Sequence, residues 1–111
     1  MNTKQRIYLT LAIIGLVSTW YHNISFMIMP ENGASAIAFI KACMANHASL
    51  SVSWDIVIAA ITGFIWMHHE AKRLDISRVW FFYVTGTFIA FAFAFPLFLA
   101  IREQKLKALN V

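Results

Sequence analysis

The sequence predicts an all-α membrane protein: three transmembrane helices, with a short interfacial helix between the first and the second. Three observations carry that expectation. Of 111 residues, 60% are hydrophobic and only 13% charged, against roughly 25% charged in soluble domains. The apolar residues fall into three runs of membrane length. Basic and aromatic residues gather at the ends of those runs. A chain this short has too little polar surface to cover so much apolar side chain. A soluble monomer, a disordered tail and a nucleic-acid module are therefore excluded, and the expected surroundings are the lipid bilayer. The formal charge of +4 and pI of 9.6 then reflect headgroup-facing residues, not a nucleic-acid partner.

The first run, Ile7 to Met29, contains no Asp, Glu, Lys or Arg. At ~1.5 Å per residue it reaches ~34 Å, enough to cross the hydrocarbon with some tilt, and it predicts a helix over about 6–29. It is not expected to be a cleaved signal peptide. Ser18-Thr19-Trp20-Tyr21-His22 puts bulky aromatics where a small-x-small cleavage site belongs. Pro30 should stop this helix, and Glu31-Asn32-Gly33 is turn chemistry. Ile37, Ile40 and Met44 then recur at helical spacing, predicting an interfacial helix over about 34–46, too short to span.

The second run, Leu50 to Met67, holds one acid, Asp55, and predicts a helix over about 50–70. The third, Val79 to Ile101, carries no charge and predicts a helix over about 78–102. The short charged connection between them, Glu70 to Ser77, should make these two helices antiparallel neighbours. Pro96 cannot donate to the Ala92 carbonyl and is expected to kink the third helix. Orientation rests on counting Lys and Arg. Lys4, Arg6, Lys72, Arg73 and Arg78 share one side; Lys41, Arg102, Lys105 and Lys107 share the other. That leans to an internal N-terminus and an external C-terminus.

An ionisable residue in a span is a functional-site candidate because burying it is costly. Asp55 lies on a stripe of Ser51, Ala59, Thr62, Trp66 and His69, while Ile56, Ile61 and Ile65 are free to face lipid. The first helix has a matching stripe of Gly15, Ser18, His22 and Ser25. Counting depth from the loop puts His22 within about a turn of Asp55, with Pro96 at the same level. His22, Asp55, Thr62 and Pro96 are therefore the expected ligand-binding cluster. The plainer alternative has Asp55 capping its helix or pairing with Arg102, and His22 bonding a neighbouring carbonyl.

Gly86, Ala90 and Ala94 form a small-xxx-small pattern suited to a helix interface. The phenylalanines around them would suit a flat lipophile such as a quinone, carotenoid or chlorin, or simple packing. His68-His69-Glu70 resembles metal ligands, but adjacent helical residues point ~100° apart, so no metal site is expected. Cys43 reads as a small hydrophobe. No phosphate loop, nucleophile elbow or triad pattern identifies a catalytic residue.

Ser53-Trp54-Asp55, His69-Glu70, Arg78-Val79-Trp80 and Phe95-Pro96-Leu97-Phe98-Leu99 with Arg102-Glu103 resemble the small bacterial membrane proteins grouped as domain of unknown function 2834. That resemblance covers nearly the whole chain. It implies a multi-pass protein of the bacterial cytoplasmic membrane and implies no activity. A fainter similarity, to the three-helix halves of heterodimeric carotenoid cyclases, rests only on Pro30-Glu31. Two function classes stay open. One is a non-enzymatic accessory subunit or lipophile-binding component that docks on a larger membrane complex or forms a homo-oligomer. The other is an enzyme acting on an isoprenoid-like lipophile, with Asp55 as acid or base.

Overall fold

The computed structural model describes residues 2–29 and 35–109. The expected stop at Pro30 and turn at Glu31-Asn32-Gly33 lie outside them. The described residues form five helices: α1 (Thr3–Met27), α2 (Ala36–Cys43), α3 (His47–Leu74), α4 (Val79–Phe88) and α5 (Phe91–Leu109). Two of them, α1 and α3, are long and apolar enough to cross a membrane, and α4 is a shorter apolar helix.

Local chemistry sets most helix ends. Asn2 and Gln5 make a reciprocal capping box that starts α1 four residues before the apolar run. Ser35 caps α2 through the Ala38 N–H, and Asn46 caps α3 through the Ser49 N–H at 2.8 Å. At the far end of α3, Asp75 turns into the left-handed region (φ 55°), so that its own N–H and that of Ile76 both reach the Ala71 carbonyl.

The third apolar run is not one helix. It breaks at Ile89 and Ala90 and folds back, so α4 and α5 are an antiparallel hairpin. Phe82 meets Phe98 edge-on at 5.2 Å, and a Cβ built on Gly86 would lie 3.5 Å from that of Ala94. The Thr85 carbonyl accepts from the N–H groups of both Ile89 (2.9 Å) and Ala90 (2.8 Å), which closes α4. The Ala90 carbonyl then accepts from Phe93 and Ala94 and opens α5. Pro96 does not end the helix: α5 runs through that proline, and the chain turns six residues earlier.

Helix α5 is the centre of the packing. It runs parallel to the second half of α3, with Trp66 against Phe95 and Phe98 and Glu70 against Arg102. It runs antiparallel to α1, where Gly15 abuts the Ala92 backbone and the Trp20 indole N–H donates to the Ile89 carbonyl at 2.9 Å. The Ala92 carbonyl that meets Gly15 is the one Pro96 leaves without its helical donor. A side chain on Gly15 would collide with that backbone. The buried core (Met67, Ala71, Leu74, Ile76, Phe82 and Phe98) lies where α3, α4 and α5 meet.

These registers put the N-terminus of α1, the α3–α4 loop and the C-terminus of α5 at one end of the molecule. The opposite, distal end carries α2, held to α1 by Phe26 on Phe39 (5.4 Å) and to α3 by the Ser53 hydroxyl donating to the Cys43 carbonyl (3.0 Å). Gly15→Leu should therefore lower the unfolding free energy in detergent micelles by about 1–3 kcal/mol through overpacking. Val17→Leu, on an exposed face, should leave it nearly unchanged; equal effects would contradict this packing.

Candidate functional site

The expected cluster does not assemble. Gly15 is level with Ala92 and Gly63 with Phe91, so helical rise puts His22 and Asp55 each about 10–12 Å beyond the hairpin tip, at similar depth. No hydrogen bond or ion pair joins the two among the described residues. His22 is exposed, its ring edge-on to Tyr21 at 5.2 Å. Asp55 and Thr62 are also exposed. Pro96 lies on the other side of the hairpin tip, because α5 runs away from Asp55.

The stripe of Gly86, Ala90 and Ala94 is divided by the break. Gly86 faces the Phe64 ring and Ala94 across the hairpin, and Ala94 is fully buried. These small residues pack the chain against itself instead of offering one groove to a partner. His68 and His69 are exposed, and the described residues hold no group of three metal-ligating side chains.

The polar groups that do converge are elsewhere. Buried Glu70, on the last turns of α3, accepts from Arg73 Nε through Oε1 (2.5 Å) and from Arg102 Nε through Oε2 (2.6 Å). Arg102 also lies over the Trp66 ring, 5.5 Å from its centroid, and 3.6 Å from the Glu103 carboxylate. Both carboxylate oxygens of Glu70 are engaged and no buried side-chain polar atom among the described residues lacks a partner. A cluster of this kind, with every buried polar atom partnered, braces α3 against α5. The sequence displays all four residues, but only the fold-back brings Arg102 to Glu70.

Among the described residues, open cavities of similar size lie at both ends of the molecule and along its side. One, of about 430 Å³, is apolar and lies at the distal end among Phe26, Phe39, Cys43 and Val52. A second, of about 440 Å³, lies beside Phe64, His68, His69 and Tyr83. The third, of about 410 Å³, lies at the α3–α4 loop, with Arg78 and Lys105 over a floor that includes Phe81 and Ile101.

Residues 7–104 match the model of a protein family described as Protein of unknown function DUF2834. The chain belongs to this family. No curated protein and no solved structure matches it. The match spans from the first apolar run to Gln104, so it takes in α1 through most of α5, including Glu70 and Arg102 of this DUF2834 chain.

The bridge has a measurable signature. Glu70→Leu should destabilise the protein by on the order of 2 kcal/mol, because it strands Arg102 against apolar rings. The double variant Glu70→Leu/Arg102→Met should recover most of that loss, and Arg73→Ala, on a largely exposed side chain, should change little. Unfolding in mixed micelles reads all three, and strictly additive single and double effects would contradict a coupled pair.

Proposed function

We propose that this protein is a non-enzymatic accessory subunit of the bacterial cytoplasmic membrane that docks on a larger membrane protein through the Asp55 face of α3. In this reading α1 and α3 cross the bilayer and the α4–α5 hairpin enters from one side. At ten residues, α4 covers ~15 Å, about half the hydrocarbon thickness.

Three features support a membrane setting. Large apolar side chains such as Ile13, Val17, Val52, Ile58 and Ile65 stand more than half exposed along α1 and α3, which lipid tolerates and water does not. The hydroxyls of Thr19, Ser25 and Thr85 each donate to the carbonyl four residues back, at 2.7–2.8 Å, which satisfies them within their own helices. Lys4, Arg6, Lys72, Arg73, Arg78, Arg102, Lys105 and Lys107 share one end, leaving Lys41 at the other. By the positive-inside rule, eight against one supports a topology with both termini cytoplasmic.

Asp55 carries the functional part. Ser51, Asp55, Ala59 and Thr62 are all exposed, so this small and polar stripe is turned away from the rest of the chain. An acid left to lipid is costly, by about 2.5–3.5 kcal/mol at a span's centre and by less toward the interface where Asp55 lies; a donor from a neighbouring membrane helix removes that cost, and small flanking residues let such a helix approach. The enzyme alternative loses support because its acid and its histidine are not joined. The apolar cavity at Phe26, Phe39 and Val52 favours a lipophile of quinone, carotenoid or chlorin type as an additional guest.

Extraction of native membranes in mild detergent followed by native electrophoresis tests the docking. The wild-type chain should migrate in an assembly larger than its own dimer, Asp55→Leu should release it, and Ile61→Leu should not. Migration of the wild type as a monomer or homodimer, or an Asp55→Leu variant that stays in the assembly, would overturn the proposal.

A further inference from the structure

The cavity at the α3–α4 loop is a site of mixed character. Its floor is apolar, formed by Ile76, Phe81, Phe82 and Ile101, and its rim carries Ser77, Arg78 and Lys105 with Trp80 beside them. Two cations from different helices therefore converge on one pocket: Arg78 from the start of α4, Lys105 from the end of α5. Neither side chain has an ion pair or hydrogen bond among the described residues, although Glu70, Asp75 and Glu103 occupy the same end of the molecule. Glu70 is already held by Arg73 and Arg102, and Glu103 lies beside Arg102. Arg78 precedes the first turn of α4 without capping it by its side chain, so the positive end of that helix adds to the same field.

A pocket with unpaired cations over an apolar floor selects an anionic amphiphile, because a small anion leaves the floor unfilled and a neutral lipid leaves the cations unpaired. The pocket also lies where the short loop would leave the bilayer, with an indole at headgroup level. We infer that this cavity binds the phosphate of an anionic glycerophospholipid between Arg78 and Lys105, with the glycerol and upper acyl chains over Phe81, Phe82 and Ile101. The inference rests on the membrane setting proposed above, not on the Asp55 docking face.

The test uses purified full-length protein given equal amounts of phosphatidylglycerol and phosphatidylcholine, with retained lipid measured by native mass spectrometry. Wild type should retain phosphatidylglycerol about tenfold over phosphatidylcholine. Arg78→Gln/Lys105→Gln should abolish that preference. Lys72→Gln/Lys107→Gln, which removes the same charge outside the pocket, should keep it; both variants alter exposed side chains, and matching helicity by circular dichroism verifies their folding. Equal retention of the two lipids by wild type, equal loss in the two double variants, or displacement of phosphatidylglycerol by millimolar inorganic phosphate would each overturn the site. Alkaline carbonate extraction separates the two readings: release from membranes defeats the membrane setting, whereas retention with no lipid preference defeats the pocket alone.

Discussion

The turn at Ile89 and Ala90 brings Arg102, Glu103, Lys105 and Lys107 to the end that already holds the other basic residues of α1 and the α3–α4 loop. Had the run from Val79 continued as one helix, Arg102 would lie about 35 Å from Arg78 along the axis. Folded back, it meets Glu70 at 2.6 Å. The turn is held from outside as well as within: Trp20 of α1 takes the Ile89 carbonyl, and Gly15 lets α1 close on the Ala92 backbone. In the proposed membrane setting, irregular backbone survives only when protein satisfies it, and α1 would supply that protein.

Different forces hold the two ends of the hairpin. At the tip the contacts include close backbone approach and one indole hydrogen bond. Toward the loop, aromatic rings interlock: Phe82 on Phe98, Trp66 on Phe95 and Phe98, Phe64 on Tyr83 and Phe91. The Glu70–Arg102 bridge closes this layer just where α3 and α5 approach the polar end, which is where a charge pair costs least to desolvate.

The first three helices were legible in the sequence because each has its own signal. Charge-free length marks α1, apolar spacing marks α2, and a long apolar run marks α3; the caps Asn2 and Asn46 lengthen α1 and α3 by about a turn. The hairpin was not legible. Hydropathy reads Val79 to Ile101 as one span because nothing in Ile89-Ala90 looks like a turn, and Pro96, the one visible breaker, sits inside α5. Gly86 and Ala94 are small residues whose neighbours lie across the hairpin and on α3, which the sequence does not display. The common depth of His22 and Asp55 follows from helical rise; which way each side chain points depends on the packing of α5 between α1 and α3. The charge asymmetry was hidden for the same reason, since a straight third helix splits the basic residues five to four.

The side on which the C-terminus emerges tests the fold-back most directly. With Cys43 replaced by Ala, single cysteines at Lys4, Lys72 and Lys107 can be labelled by a membrane-impermeant thiol reagent in intact cells and in inverted vesicles. A hairpin predicts that all three label from the same, cytoplasmic side. Labelling of position 107 from the side opposite position 72 would mean that Val79 to Ile101 crosses the bilayer once, and would contradict the turn at Ile89 and Ala90 together with the Glu70–Arg102 bridge that depends on it.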